Sequence, residues 1–127
     1  MNRKSINTNN APAAIGPYSQ AILAGPYLFL SGQIGIDPAT GNLISPDFEL
    51  QARQTLENLR QVILAAGCEM HHLVSVDIFL SNMGNFSKFN EIYAEFFPGI
   101  KPARAVVEVS GLPKGSCVEI KAIAYKA

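Results

Sequence analysis

The chain of 127 residues is predicted to form one domain, residues 1–127, because a chain of this length buries roughly two thirds of its unfolded surface in a single core. Ten basic and ten acidic side chains leave a formal net charge of zero. This balance argues against a nucleic acid as the main partner, since phosphate binding normally shows as a basic excess. Only 16% of the residues are charged whereas 48% are hydrophobic, so we expect a homo-oligomer that covers part of the apolar surface.

The sequence shows none of the features of secreted or membrane proteins. A basic pair, Arg3-Lys4, is not followed by an apolar segment, and no stretch approaches the roughly 20 apolar residues that span a bilayer. Cys68 and Cys117 lie far apart and form no CxxC motif, which is typical of reduced thiols in a reducing compartment. We therefore predict a cytoplasmic protein without membrane contact.

The first part of the chain is predicted to contain a loop and a hairpin. After a short polar arm, the proline- and glycine-containing segment Asn9–Tyr18 excludes regular structure. The runs Ala21–Ala24 and Tyr27–Ile36 read as two strands joined by a tight turn. Gly32 and Gly35 weaken the second strand and indicate a bulge, or the close approach of a ligand or another backbone.

A first helix is predicted after Ser45-Pro46-Asp47, which supplies Ser45 as the N-cap, a first-turn proline and an acid at the positive helix end. One face of this helix is apolar, with residues at spacings of three and four: Ala52, Leu56, Leu59, Ile63 and Ala66. Gly67 is predicted to end the helix because glycine is favoured just after the last turn.

The second part of the chain alternates strands and a helix. Leu73–Leu80 has the alternation of a half-buried strand, and a second helix runs from about Met83 to Phe97. The aromatic residues of this helix share one face and are predicted to be core rather than a base-stacking surface: Phe86, Phe89, Tyr93 and Phe96. Two last strands, Ala103–Val109 and Cys117–Tyr125, flank a glycine-containing turn and are interpreted as a hairpin.

The predicted order is therefore β-β-α-β-α-β-β. It indicates an α+β domain with a mixed sheet and two helices on one face. Two helices leave the other face of the sheet uncovered, so a second subunit is the natural candidate to cover it.

Arg104 lies at the start of a predicted strand, and no carboxylate is within three residues of it in the sequence. A guanidinium on a rigid element can bind a substrate carboxylate in a bidentate manner. A solvated arginine at a sheet edge explains the same pattern. The spacing leaves both interpretations open.

Glu119 lies between Val118 and Ile120 in an otherwise apolar strand, where an acid requires a reason. It could be the ion-pair partner of Arg104, or a general base or water-orienting group whose proton affinity is set by partial burial. The hairpin register is not determined by the sequence, so these alternatives also remain open.

Other polar motifs are weaker candidates. His71-His72 is not expected to bind a metal, because adjacent side chains diverge and no HxxxH or carboxylate cluster accompanies them. The segment from Gly32 to Gly35 is too short for a dinucleotide-binding fingerprint and does not open a helix.

Several linked motifs, in order and with compatible spacing, resemble the RidA family (also called YjgF/YER057c/UK114) over residues 9–125. They are Ala11–Gln20, Ser31–Ile34, Pro102–Arg104, Val107–Val109, Leu112-Pro113 and Val118–Ile120. The resemblance implies a chorismate-mutase-like (YjgF-type) fold and a homotrimer with sites in the clefts between subunits. It also implies 2-iminobutanoate/2-iminopropanoate deaminase activity on small 2-imino acids, which become 2-oxo acids and ammonia without a cofactor or metal.

The resemblance also implies roles for individual residues. Arg104 matches the carboxylate-binding arginine of the family, and Glu119 matches the acid that positions or activates the attacking water. Four more residues fall at pocket positions, Gly32 through its backbone amide: Tyr18, Ser31, Gly32 and Asn90.

Three positions depart from the pattern of many members. Val106 lies at a substrate-pocket position where many members carry a cysteine. Ser75 and Gly111 stand where many bacterial members have lysine and arginine. These departures leave the pocket shape and the substrate preference open.

Two other functions remain to be weighed. One is a non-catalytic trimeric module that binds 2-oxo or amino acids and regulates another protein. The other is RNA cleavage or translation inhibition, an activity attributed to some relatives, against which the zero net charge counts.

Overall fold

The computed structural model describes residues 3–127, which form a six-stranded sheet with two helices packed on one of its faces. The strands are β1 (Arg3–Ile6), β2 (Ala21–Ala24), β3 (Tyr27–Gln33), β4 (Leu73–Leu80), β5 (Ala103–Glu108) and β6 (Val118–Tyr125), and the helices are α1 (Phe48–Ala65) and α2 (Phe86–Phe96). The order across the sheet is β1-β2-β3-β6-β4-β5. Only β4 and β5 run parallel, so the predicted mixed sheet of an α+β domain is confirmed.

The core lies between the helices and one face of the sheet. It contains the apolar face of α1 and alternate residues of the central strands: Ala52, Leu56, Leu59, Ile63, Leu28, Leu30, Val76, Ile78, Leu80, Val118, Ile120 and Ala122. This alternation follows from the period of two in a strand, which directs successive side chains to opposite faces. The other face of the sheet is uncovered and exposes aromatic and aliphatic side chains, among them Tyr27, Phe29, Val107 and Tyr125.

The N-cap of helix α1 lies two residues later than predicted, at Asp47 instead of Ser45. Asp47 is the N-cap, and its carboxylate accepts a hydrogen bond from the Leu50 backbone N–H at 3.0 Å. The Ser45 hydroxyl instead accepts from the Asp47 N–H at 3.0 Å, so it stabilises the turn before the cap. Gly67 follows the helix with φ +80°, the left-handed conformation that was predicted to end it.

The predicted polar arm contains a strand. Residues Arg3–Ile6 pair antiparallel with β2 and form one edge of the sheet. Only Ile6 of this strand is buried, so its alternating apolar signal is too weak to identify it from sequence.

The interpretation of β5 and β6 as a hairpin is wrong. Among the strands of residues 3–127, β5 pairs only with β4, whereas β6 is inserted between β3 and β4. The turn Pro113–Gly115 therefore leads the chain across β4 rather than back along β5. No helix within residues 3–127 combines the length and apolar composition needed to cross a bilayer.

Candidate active site

The Glu119 carboxylate lies directly over Gly32. A Cβ built on Gly32 would be 2.9 Å from the Glu119 Cδ, and closer still to its Oε2. Glu119 occupies the face of β6 that is turned away from the helices, because its neighbours Val118 and Ile120 are buried beneath them. The absence of a side chain at Gly32 thus provides the space in which the carboxylate sits.

A β-bulge at Ser31-Gly32 creates this approach. The pairing of β3 with β6 shifts register between Leu30 and Gln33, which confirms the bulge predicted at Gly32; β3 ends at Gln33 rather than at Ile36, so Gly35 lies beyond it. The Ser31 hydroxyl donates to the Ser19 carbonyl at 2.6 Å, and its N–H donates to the Gln20 carbonyl at 3.0 Å. These bonds attach the preceding loop to the bulge.

Four of the predicted site residues line one pocket with a volume of about 530 Å³. They are Tyr18, Ser31, Gly32 and Glu119. Most of the remaining wall is apolar: Pro12, Ala13, Ile15, Ile34, Ile36, Pro38 and Pro113, with Gln33, Gly41 and Lys114 completing it. The pocket is therefore an apolar cleft with one carboxylate and one lysine.

Burial raises the pKa of Glu119 above its ordinary value of 4.5, because the charged carboxylate is partly removed from water. None of the ion pairs formed by residues 3–127 involves Glu119. A half-buried carboxylate with a raised pKa and no bound cation has the properties of a general base.

Arg104 lies in a second group of residues, at the β5 edge. Its Nη1 donates to Asn90 Oδ1 at 2.8 Å, and its guanidinium carbon lies 4.9 Å from the Tyr93 ring centroid and 5.8 Å from that of Phe86. Helix α2 thus orients the guanidinium by one hydrogen bond and two aromatic rings. Val106 follows on the same face of β5 and packs against the core.

The aromatic face of α2 is only partly core. Phe89 and Tyr93 are buried as predicted, and Phe96 is partly buried. Phe86 is 38% exposed, so its predicted core position is wrong. Its ring lies near the Arg104 guanidinium, which explains an aromatic residue at this exposed position.

Arg104 and Glu119 do not form an ion pair within the subunit. Strand β4 separates their strands, and the two side chains occupy opposite faces of the sheet. Arg104 shares the face of its β4 partner Val76, which is buried under the helices. The structure therefore divides the predicted site residues into a Glu119 group, with Tyr18, Ser31 and Gly32, and an Arg104 group, with Asn90 and Val106.

The other polar residues lie outside both groups. His71 and His72 occupy a turn between α1 and β4, where His72 Nδ1 accepts from the Glu69 N–H at 2.9 Å. Among residues 3–127, no cluster of three or more His, Cys, Asp or Glu side chains is placed to hold a metal ion. Cys68 and Cys117 are both free thiols.

The three departures from the family pattern, at Val106, Ser75 and Gly111, lie away from the pocket wall. Ser75 is half-buried on β4 opposite Ala103 and Ile123. Gly111 does not line the pocket, and a Cβ built on it would meet no atom within 4 Å.

Three buried amides behind the pocket were missed by the sequence analysis. Gln20, Gln51 and Asn58 are each at most 2% exposed. Gln20 accepts from the Thr8 N–H and donates to the Thr8 and Pro12 carbonyls, so it holds the loop that carries Tyr18. Gln51 and Asn58 lie two helical turns apart in α1, beside its apolar face. This spacing places both side chains on one side of the helix and could have identified them as buried.

The chain matches known proteins over almost its whole length. A family model described as endoribonuclease L-PSP matches residues 8–126. A RutC family protein of Pyrococcus horikoshii is 52% identical over 124 residues, which cover 98% of both chains. A 2-iminobutanoate/2-iminopropanoate deaminase of Mus musculus is 47% identical over 124 residues, covering 98% of this chain and 92% of the relative.

The fold of this chain also matches a solved structure over almost its whole length. The crystal structure of YyfA, a Rid family protein from Yersinia pestis, superposes with a TM-score of 0.95 at 52% identity, and the match covers 97% of this chain and 98% of that one. With the family model and the curated relatives, this similarity shows that the chain belongs to the RidA (YjgF/YER057c/UK114) family.

Proposed function

We propose that the protein hydrolyses reactive 2-imino acids, such as 2-iminopropanoate and 2-iminobutanoate, to 2-oxo acids and ammonia without a cofactor. The observation that carries this proposal is the half-buried Glu119 carboxylate, which has no ion-pair partner among residues 3–127 and lies over Gly32 on the wall of a pocket. The deaminase name of the mouse relative, 47% identical over nearly the whole chain, supports the same reaction.

We further propose that the two residue groups meet between subunits of a homotrimer. Arg104 lies at the free edge of the sheet and Glu119 on the uncovered face, so a single subunit offers each group to a neighbour rather than to the other group. The exposed apolar side chains of the uncovered face provide a surface for association. In a ring of identical subunits, each interface would combine Arg104 of one subunit with Glu119 of the next.

Substrate binding would use Arg104 as the carboxylate receptor. Its guanidinium is already oriented by Asn90 and by the rings of α2, and within residues 3–127 it has no carboxylate partner of its own. A substrate carboxylate would therefore take the remaining donors without displacing a competing anion. Fixing the substrate in this way lowers the entropic barrier to water attack.

The chemical step would use Glu119 as a proton shuttle. The iminium carbon C2 is already electrophilic, so a water attacks it while Glu119 accepts one proton of that water. The resulting carbinolamine receives the proton on nitrogen, and the C–N bond breaks as ammonia leaves. The C=O bond forms from a lone pair of the hydroxyl oxygen as the C–N bond breaks, and the hydroxyl proton is then lost to give the 2-oxo acid. An enamine substrate would first take a proton at C3 to become the iminium.

Two other functions are weighed against this proposal. A non-catalytic receptor for 2-oxo or amino acids would use the same pocket, but it would not require the raised pKa of Glu119. Ribonuclease activity is named in the family model's description. The zero net charge of the chain does not favour RNA binding.

The test is a coupled assay in which a threonine or serine dehydratase generates the imine and 2-oxo acid release is followed. We expect wild type to accelerate release, and Arg104→Ala and Glu119→Gln to abolish most of the acceleration. Binding of 2-oxobutanoate without any acceleration would favour the receptor function. Ribonuclease activity that persisted on repurification and was lost in Arg104→Ala would favour RNA cleavage.

A further inference from the structure

Helix α1 carries a row of buried polar side chains that faces the back of the pocket. Gln51, Thr55 and Asn58 are at most 2% exposed, although each has hydrogen-bonding groups that must be satisfied in the core. Thr55 donates to the Gln51 carbonyl at 2.7 Å, within its own helix. The two amides instead reach out of the helix to the backbone that lines or supports the pocket.

Gln51 holds the start of the strand that carries Glu119. Its Oε1 accepts from the Cys117 N–H at 2.8 Å, and its Nε2 donates to the Ser45 carbonyl at 2.9 Å. The Cys117 carbonyl accepts from the Ser81 N–H at 3.1 Å. Hydrogen bonds therefore fix both the backbone N–H and the backbone carbonyl of Cys117, which lies two residues before Glu119.

Asn58 holds the apolar wall. Its Nδ2 donates to the carbonyls of Ile34 at 3.0 Å and Ile36 at 2.8 Å, and its Oδ1 accepts from Gln54 Nε2 at 2.8 Å. The intervening Gly35 has no space for a side chain, because a Cβ there would lie 2.8 Å from the Gln51 carbonyl oxygen. The Ile34–Ile36 segment of the pocket wall is thus in direct contact with α1, and the Asn58 side-chain amide donates two hydrogen bonds to its backbone.

We propose that Gln51 and Asn58 are positioning residues for the site: Gln51 fixes the backbone that places Glu119 over Gly32, and Asn58 fixes the Ile34–Ile36 wall that contacts the substrate side chain. This inference rests on the proposed deaminase function. It assigns the two amides different kinetic effects, because one acts on the group that activates water and the other on a binding surface.

The test compares Gln51→Met and Asn58→Leu, which keep approximate side-chain size and remove the hydrogen bonds, in the coupled imine assay. We expect Gln51→Met to lower kcat by about tenfold or more with KM changed less than about threefold, since small misplacement of a reacting group is costly. We expect Asn58→Leu to raise KM by about threefold or more and to change kcat less. Thr55→Val is the matched control, because this buried polar group bonds only within its own helix; its kcat and KM should equal those of wild type.

Gln51→Glu keeps an acceptor for the Cys117 N–H, and its carboxyl group, held protonated by burial, keeps an O–H donor for the Ser45 carbonyl. It should therefore restore kcat to within about threefold of wild type, and it decides the question if Gln51→Met does not fold.

For Asn58, a folded Asn58→Ser or Asn58→Leu variant with unchanged KM would overturn its role. Equal losses in kcat for Gln51→Met and Gln51→Glu, or wild-type kcat in folded Gln51→Met, would overturn the role of Gln51. If wild type itself does not hydrolyse the imine, the proposed function fails instead.

Discussion

The Glu119 carboxylate occupies the volume that a side chain at Gly32 would fill. The built Cβ of residue 32 would lie 2.9 Å from the Glu119 Cδ, and no positive φ makes glycine necessary there for backbone reasons. The requirement for glycine at this position therefore comes from the carboxylate and not from the conformation of the chain.

Gly32→Ala is expected to displace Glu119 and to lower kcat by about tenfold or more, because the methyl group and the carboxylate cannot share the space. The secondary structure should persist, as shown by circular dichroism. Gly111→Ala is the control, since its Cβ would meet no atom within 4 Å. A folded Gly32→Ala protein with wild-type kcat would contradict the contact that we describe.

Asn90→Asp is expected to weaken substrate binding. The new carboxylate would lie at hydrogen-bonding distance from Arg104 Nη1 and would compete with the substrate carboxylate for the guanidinium. Calorimetry with 2-oxobutanoate should show a Kd raised by about tenfold. Asn7→Asp adds the same charge on the exposed segment after β1, at the opposite edge of the sheet, and should leave the Kd unchanged. Equal affinities of Asn90→Asp and wild type would rule out Arg104 as the carboxylate receptor.

The activity should rise with pH as Glu119 loses its proton. Because burial raises the pKa of Glu119, the midpoint of the acid limb of kcat/KM should lie above 4.5, the ordinary value for a glutamate. Glu119→Gln should remove this limb together with most of the activity. An unchanged acid limb in a residually active Glu119→Gln protein would assign the titration to another group.

The same pKa shift predicts a gain in stability when Glu119 is replaced. A carboxyl group whose pKa is raised on folding favours the folded state fully below its unfolded pKa, and this contribution is lost as the pH rises through the folded pKa. Glu119→Gln should therefore have a higher Tm than wild type at neutral pH and an equal Tm below pH 4.5. In the proposed shared site Arg104 of the neighbouring subunit acts against this gain, so a lower Tm at neutral pH would show that its charge outweighs the burial of Glu119.

Much of the fold follows from local patterns in the sequence. The apolar spacing of α1 and the alternation of β4 predict both elements, because a helix and a strand each expose one face to the core. β1 was missed because it has only one buried residue, Ile6. The insertion of β6 between β3 and β4 depends on long-range pairing, which the turn before β6 does not determine.

The candidate site was predicted as a set of residues but not as an arrangement. The motifs around Arg104 and Glu119 identify both residues, whereas their placement on opposite faces depends on the strand order. The buried amides Gln51 and Asn58 have the polarity of surface residues. Only the backbone groups that they contact reveal why they lie in the core.

The central claim, that each site combines Arg104 of one subunit with Glu119 of another, is tested most directly by mixing two inactive variants. Arg104→Ala and Glu119→Gln, co-expressed with different tags and purified as mixed trimers, should recover about one third of wild-type activity, because one of the three interfaces in each mixed ring would carry both intact residues. Each variant alone should be inactive. Mixed oligomers that remain as inactive as the separate variants would contradict a site shared between subunits.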